Sequence, residues 1–314
     1  MRILFWGTPD FAVPSLRALL GEGHDVVGVV TQPDRPAGRG RALRQSAVKL
    51  VAEDESLPVL QPERARGDEF LNAVRALDPE LSIVVAYGQI LKREVLDLPP
   101  LGSINVHASL LPALRGAAPI SWAIRLGHTE TGVTIMRMTE RMDAGPMLHQ
   151  VAEPINDAEN ASDLWLRLSE IGAAALIETL ALLDMGELTE IEQDESAATY
   201  APRITRDTAH VDWHDNAVAI SRHIRSLDAV PGAWTSHKGD DLKLYRPLPE
   251  PELVHDAEPG TVIDVDGLDA SEGMRVACGT GALLVREVKP AGKRRMNTSE
   301  WVRGRGIATG DRLR

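Results

Sequence analysis

Two polar side chains with catalytic potential lie two positions apart in the short apolar run SINVH, residues 103–107. Because side chains alternate along a strand, Asn105 and His107 share one face. Pro112 and Gly116 break the chain soon afterwards. The pair therefore falls at the carboxyl end of a predicted strand, where open α/β sheets usually bind ligands. Taken alone, the spacing is also typical of a hydrogen-bonded core histidine beside an edge asparagine.

A third candidate, Asp143, follows the apolar run VTIMRM and precedes a Gly-Pro turn in ERMDAGPML. A carboxylate beside an imidazole can orient the ring and raise its pKa, which would supply a general acid or base near neutral pH. The alternative interpretation is a turn-forming aspartate. Distance along the chain does not show whether Asp143 meets His107.

Three further patterns argue against rival chemistries. The segment WGTPDFA lacks the G-x-G-x-x-G pattern, so a nicotinamide site is poorly supported and Gly7 is expected to serve a tight turn. His210 and His214 have i, i+4 spacing but no glutamate next to His210, so we expect a surface pair rather than zinc ligands. The single cysteine, Cys278, excludes an internal disulfide and a cysteine cluster, and we expect no metal.

The elements that must position these side chains alternate between short apolar runs and helical stretches in the first half of the chain. RILFW, DVVGVV, SIVVAY and SINVH predict an α/β domain with a mostly parallel sheet covered by helices on both faces. The segment 187–206 is rich in acidic and small residues and predicts an interdomain linker. Five short β-type segments follow it and predict a small closed or nearly closed barrel.

Composition bounds the class of protein. A chain of 314 residues predicts two domains at about 150 residues each, and 43% apolar with 25% charged residues excludes wholesale disorder. The net charge of −12 excludes a uniformly basic nucleic-acid binder but leaves room for local basic patches. No stretch reaches about 18 apolar residues and no signal peptide is evident, so we expect a cytoplasmic protein without a membrane segment.

Two segments are basic although the chain as a whole is acidic. Residues 32–49 carry a net charge of +4 in a predicted loop that includes Arg39 and Arg41, and residues 286–314 carry +6. Such an uneven distribution of charge favours attraction of a phosphate backbone to one face of the protein. A solvated basic surface is the alternative.

Together these residues resemble the methionyl-tRNA formyltransferases along essentially the whole chain. The N-x-H-x-S-L-L-P pattern followed by an aspartate is shared across enzymes that use 10-formyltetrahydrofolate, whereas the Arg-rich loop and the C-terminal domain point to the enzyme that acts on tRNA. The motifs are GTPDFA at 7–12, TQPDRPAGRGR at 31–41, AYGQIL at 86–91, INVHASLLPALRGAAP at 104–119, MDAGPML at 142–148 and YAP at 200–202.

The resemblance implies a Rossmann-like formyltransferase domain over 1–189, a linker over 190–206 and an OB-like barrel over 207–314 that helps to hold tRNA. It implies transfer of the formyl group of 10-formyltetrahydrofolate to the α-amine of methionyl-initiator tRNA, without an obligate protein partner. The residues expected to act divide into catalytic (Asn105, His107, Asp143), folate-binding (Ser109, Leu110, Leu111, Pro112, and through backbone groups Gln89 and Leu91) and tRNA-binding (Arg39, Arg41, Lys293, Arg294, Arg295).

Rival functions stay open at this point. Another enzyme of the same superfamily would formylate glycinamide ribonucleotide or a sugar amine, or would release formate to water, and a compact enzyme of that kind would not need the two basic segments. A non-catalytic RNA-binding protein with a degenerate first domain is a rival from a different class. The presence of Asn105, His107 and Asp143 argues against it, and a folate titration would separate the two.

Overall fold

The computed structural model describes residues 1–37, 42–265 and 273–314. Contacts within the chain separate two compact units. Unit 1 comprises residues 1–119, 130–154 and 165–201, and unit 2 comprises 120–129, 155–164 and 202–314. Within the described residues, none of the helices combines the length and the apolar character needed to cross a membrane.

Up to residue 201, strands and helices alternate as the apolar runs predict. The strands are β1 (Arg2–Gly7), β2 (Asp25–Val30), β3 (Arg35–Ala37), β4 (Ala42–Arg44), β5 (Val59–Leu60), β6 (Leu81–Val85), β7 (Ser103–His107), β8 (Glu130–Arg137) and β9 (Met147–Pro154). The helices are α1 (Val13–Gly21), α2 (Ala47–Asp54), α3 (Asp68–Leu77), α4 (Arg93–Leu96), α5 (Pro119–Leu126) and α6 (Ala161–Met185).

Seven of these strands form one sheet in the order β5-β2-β1-β6-β7-β8-β9. The first five strands in that order run parallel, and β8 and β9 are antiparallel additions beside β7. Every residue of β6 is buried, because parallel strands are covered by helices on both faces. The predicted Rossmann-like fold with a mostly parallel sheet is confirmed.

The end of β1 lies beside the end of β6 and is closely packed. Trp6 is fully buried, makes edge contacts with Phe70 and Tyr87, and donates to Ser82 Oγ at 3.1 Å. Gly7 ends β1, and a Cβ there would lie 2.7 Å from the Cβ of Ala12. Close packing of the turn therefore accounts for this glycine.

Beyond residue 201 the chain is mainly antiparallel. Its elements are α7 (Ala217–Arg225), β10 (Trp234–His237), β11 (Asp240–Glu250), β12 (Val262–Asp264), β13 (Met274–Ala277), β14 (Ala282–Pro290), β15 (Met296–Asn297) and α8 (Thr298–Arg303). Strands β11, β14 and β13 form the centre of a six-stranded sheet in which β10 and β12 are the edges and β15 pairs with β14. The predicted C-terminal β-barrel domain is confirmed and has the form of an antiparallel half-barrel.

Two segments differ from their sequence-based descriptions. The basic segment 32–49, predicted as a loop, contains the antiparallel pair β3 and β4 and the start of α2. The predicted linker 190–206 is divided at residue 201, and its first part belongs to unit 1. Composition missed this because the segment 191–201 is held by hydrogen bonds to distant backbone rather than by an apolar periodicity of its own.

Candidate active site

The candidate catalytic side chains meet where β7 ends. His107 is buried and Asn105 is half-buried. Nε2 of His107 lies 3.1 Å from the carbonyl oxygen of Leu114, which can only accept, so this nitrogen carries the proton. Nδ1 of the same ring lies 3.8 Å from Oδ2 of Asp143. The structure therefore brings His107 and Asp143 together, which the sequence alone does not show.

Asp143 adopts an unusual backbone conformation in the loop between β8 and β9. Its φ is +51°, in the left-handed region that aspartate and asparagine tolerate better than most residues. Its Oδ2 accepts a hydrogen bond of 2.8 Å from the backbone N–H of Gly116. One carboxylate oxygen thus faces both the imidazole of His107 and the loop that follows β7.

The loop after β7 is paired with the segment 191–201, which we call the strap. The N–H of Arg115 donates to the carbonyl of Thr199 at 2.9 Å, and the N–H of Ala201 donates to the carbonyl of Arg115 at 2.7 Å. Gly116 has a φ of +122°, and a Cβ at this position would lie 2.7 Å from the carbonyl oxygen of Ala201. The close pairing therefore requires glycine at 116.

The turn of residues 109–112 is braced by buried hydroxyl and amide groups. Ser109 is fully buried and its Oγ donates to the carbonyl of Ala113 at 2.6 Å. Thr134 Oγ1 donates to the carbonyl of Ser109 at 2.7 Å and accepts from the N–H of Leu111 at 3.1 Å. Gln150 Nε2 donates to the carbonyl of Leu111 at 2.8 Å. These bonds fix the turn without using any ligand.

The other predicted folate contacts differ in how much surface they present. Leu110 and Pro112 are half-buried and present part of their surface, whereas the side chain of Leu91 belongs to the core. The carboxamide of Gln89 accepts from the N–H of Ala65 at 3.2 Å and donates to the carbonyl of Glu63 at 3.2 Å. The side chains of Gln89 and Leu91 therefore have partners within the chain, and a contact of their backbone groups with folate stays a prediction.

The predicted tRNA-binding residues have different surroundings. Arg39 and Arg41 lie outside the described residues. Lys293 is exposed, and the exposed Arg294 pairs with Glu300. The contact of Lys293 and Arg294 with tRNA stays a prediction.

Arg295 is bound within unit 2. Its Nη1 donates to Asp228 Oδ1 at 2.7 Å, its Nε donates to Glu287 Oε2 at 2.6 Å, and its guanidinium stacks over Tyr245 at 4.0 Å. Asp228 is 7% exposed, so breaking this pair would leave a buried carboxylate without its cation. These contacts give Arg295 a structural role in unit 2, and its contact with tRNA stays a prediction.

His210 and His214, whose spacing predicts a surface pair, contact different groups. His214 Nδ1 lies 3.0 Å from Asp212 Oδ1, whereas His210 Nε2 lies 3.2 Å from the carbonyl of Arg314. In the part of the chain that the structure describes, no three His, Cys, Asp or Glu residues are grouped so as to hold a metal ion. Cys278 is buried, and burial raises the pKa of its thiol to about 12.

Two buried polar residues near Asp143 could not be predicted from the sequence. Gln193 contacts the loop of Asp143 directly, and Arg115 contacts Gln193. Arg115 lies within the run INVHASLLPALRG, and Gln193 lies in the acidic segment interpreted as a linker. The only signal for Arg115 is its place beside Gly116 in that run. Gln193 carries no local signal, because neither periodicity nor a turn pattern surrounds it.

Comparisons with known proteins agree along the chain. The family model for formyl transferases matches residues 1–180, and the model for the formyl transferase C-terminal domain matches residues 203–306. A methionyl-tRNA formyltransferase of Symbiobacterium thermophilum is 48% identical and the match covers 100% of this chain and 95% of that protein. Another from Bacillus subtilis is 46% identical, with coverage of 99% and 97%.

Among solved structures, HypX from Aquifex aeolicus in complex with tetrahydrofolic acid aligns with a TM-score of 0.64 at 20% identity. The alignment covers 96% of this chain and 47% of HypX, so the chain spans about half the length of that relative. At this identity the likeness concerns the fold alone.

Proposed function

The chain belongs to the methionyl-tRNA formyltransferase family, and from this premise we propose how its residues divide the work of formyl transfer. The protein transfers a formyl group to methionyl-initiator tRNA, and the donor is folate-derived. We propose that this donor is 10-formyltetrahydrofolate. The observation that carries the proposal is the approach of His107 to Asp143 beside Asn105 at the end of β7.

The turn of residues 109–112 suits a folate. Its backbone is rigid, it lies directly after the strand of Asn105 and His107, and Leu110 with Pro112 presents apolar surface. Rigid apolar and backbone groups at a strand end fit a flat ring system. When bound, the folate supplies a formyl carbon attached to nitrogen, which an amine can attack.

Asn105 provides the donor for the developing negative charge. During the reaction a bond forms between the α-amine nitrogen and the formyl carbon, and the formyl oxygen becomes negative. No side-chain hydrogen bond links Asn105 to the described chain, so its carboxamide N–H is available to that oxygen. Removing one such donor typically lowers the rate by about 10² to 10³.

His107 and Asp143 move the proton. Because Nε2 is committed to Leu114, Nδ1 is the ring atom that takes or gives a proton, and in its protonated form it also donates to the negative oxygen. The carboxylate of Asp143 lies 3.8 Å from Nδ1, close enough to attract the positive charge that the ring carries during the transfer. The proton lost by the α-amine reaches the N10 leaving group as the carbon–N10 bond breaks, so nothing is oxidised or reduced.

The basic segment 32–49 suits a polyanion. Arg35 and Arg44 are exposed cross-strand neighbours, and like charges placed opposite each other are unfavourable until an anion neutralises them. Lys49 and Gln61 each donate to Asp34 at 2.7 Å, and these bonds hold the pKa of the Asp34 carboxyl below its usual value. We propose that this segment, with Arg39 and Arg41 as the sequence predicts, contacts the tRNA acceptor stem.

The test is incubation of the purified protein with methionyl-initiator tRNA and a folate donor, scoring N-formylmethionine. We expect product with 10-formyltetrahydrofolate and none with 5-formyltetrahydrofolate, and less product with an elongator tRNA. Asn105→Ala and His107→Ala should each lower kcat by at least about 10². Asn72→Ala, on the exposed face of α3, is the matched control and should keep full activity. Normal turnover in either site variant would refute the assigned role.

A further inference from the structure

A chain of buried polar groups leads from the strap to the loop that carries Asp143. Nε2 of Gln193 donates to the carbonyl oxygens of Asp143 at 2.9 Å and of Gly145 at 2.7 Å. Its Oε1 accepts from Nε and Nη2 of Arg115 at 3.0 and 2.8 Å. Gln193 is 8% exposed and Arg115 is 1% exposed. One carboxamide is thus bonded on both of its sides.

The far end of this chain is an ion pair. Arg115 donates to the two carboxylate oxygens of Glu195 at 3.1 and 3.2 Å, and Arg141 donates to the same carboxylate at 2.8 Å. These hydrogen bonds, first from Arg115 and then from Arg141, hold the pKa of the Glu195 carboxyl below its usual value. The guanidinium of Arg115 is therefore already charge-paired without Gln193.

The side chain at 193 must both donate and accept. Arg115 offers only donors, and the carbonyls of Asp143 and Gly145 offer only acceptors. A carboxamide meets both demands. A carboxylate would still accept from Arg115 but could not donate to the loop, and a thioether could do neither.

The contact matters because Asp143 is held in a sparsely populated conformation. Residues with positive φ persist where the surrounding structure over-determines them. At Asp143, Gln193 binds the backbone carbonyl while Gly116 binds the carboxylate at 2.8 Å. Gly145 also lies so close to the carbonyl of Arg137 that a Cβ would clash.

We propose that Gln193 and Arg115 are positioning residues that hold the carboxylate of Asp143 at its distance from Nδ1 of His107. The proposal rests on the proposed function, because it gives Asp143 a part in moving the proton. The strap would then position both partners, since its residues 199–201 pair with the loop that carries the carbonyl bound by His107.

Two substitutions separate positioning from a merely structural role. Gln193→Met removes every hydrogen bond of the carboxamide, whereas Gln193→Glu keeps the acceptors for Arg115 and removes only the donors to the loop. We expect both to lower kcat by about tenfold to a hundredfold, since small misplacements of a catalytic group cost that much. The KM values for folate and tRNA should stay within twofold. Gln150→Met is the matched control in unit 1, and it should raise the folate KM more than it lowers kcat.

A double variant shows whether Gln193 acts through Asp143. If it does, Gln193→Met combined with Asp143→Asn loses no more kcat than Asp143→Asn alone, whereas independent effects multiply. Wild-type kcat in Gln193→Glu would overturn the proposal, as would multiplied losses in the double variant. If Gln193→Met does not fold, Gln193→Glu carries the test. If His107→Ala loses activity while the Gln193 variants keep the wild-type kcat, this inference alone is refuted. Full activity in His107→Ala would instead refute the proposed function.

Discussion

Replacing Asp143 with asparagine removes one negative charge 3.8 Å from Nδ1 of His107 and leaves the size of the side chain nearly unchanged. Asparagine tolerates the positive φ of this position as well as aspartate does. Its amide oxygen can still accept from the N–H of Gly116, which the carboxylate does at 2.8 Å. The substitution therefore tests the charge of Asp143 with little change in the loop.

The expected loss of kcat follows from the distance between the two side chains and from their burial. The side chains of His107 and Asp143 are 7% and 18% exposed, so the effective dielectric lies well below that of water. At 3.8 Å, a pair of unit charges interacts by about 4 kcal/mol for an effective dielectric of about 20 and by about 2 kcal/mol for about 40. Loss of that interaction corresponds to a fall in kcat of between about 40-fold and a thousandfold.

The assay is steady-state formylation of methionyl-initiator tRNA, with thermal unfolding measured in parallel. We expect Asp143→Asn to lower kcat within the stated range, with the folate KM and the unfolding midpoint close to wild type. Asp143→Ala should also lower the midpoint, because the N–H of Gly116 loses its acceptor at a cost of about 1–3 kcal/mol. A kcat within threefold of wild type in Asp143→Asn would show that the charge does not act on His107.

Four further outcomes follow from other parts of the chain. Burial lowers the pKa of His223 to about 4 from its usual 6.5, so the neutral form is favoured in the folded state and stability is lost as pH falls below about 6.5. From pH 7 to pH 5, the free energy of unfolding measured with urea should therefore fall by about 2 kcal/mol more in wild type than in His223→Gln. Equal falls in the two proteins would contradict a lowered pKa of His223 in the folded state. Gly116→Ala should reduce both kcat and the unfolding midpoint, because its Cβ would lie 2.7 Å from a backbone carbonyl oxygen, and an unchanged midpoint would refute that reasoning. Arg39→Ala should lower kcat/KM for initiator tRNA far more than it weakens folate binding, and equal losses would place tRNA recognition elsewhere. Charge removal at Lys293 and Arg294 should weaken tRNA binding and flatten its dependence on salt, and an unchanged salt slope would exclude a phosphate contact there.

Much of the fold could be predicted because its signals are local. The continuous apolar run of β6 is typical of a strand covered on both faces, and the whole strand is buried. The five short β-type segments after residue 206 likewise predicted a small closed or nearly closed barrel, and the domain is a half-barrel of six strands. The antiparallel pairing of β3 with β4 was missed, because three-residue strands of basic and small residues lack the alternation that marks a strand.

The candidate site could be predicted only in part. Asn105 and His107 were identifiable because neighbouring residues show both the alternation of a strand and the point at which the strand ends. The ion pair of Arg295 could not be predicted, because a basic run does not reveal that one of its members pairs with Asp228, 67 positions away. Charge along the chain shows what can bind phosphate, whereas burial shows which cation is already neutralised.

By itself, the sequence determined the inventory of chemical groups, the strand end at which Asn105 and His107 stand, and the family. Tertiary structure alone decided that Asp143 meets His107 and that Gln193, 50 positions further along the chain, binds the backbone of Asp143. The physical reason is that a hydrogen bond between distant segments depends on chain path and burial, and neither leaves a periodic pattern in the residues that form it. The strap of residues 191–201 therefore has the composition of a linker, yet its backbone and the buried side chain of Gln193 bind distant parts of unit 1.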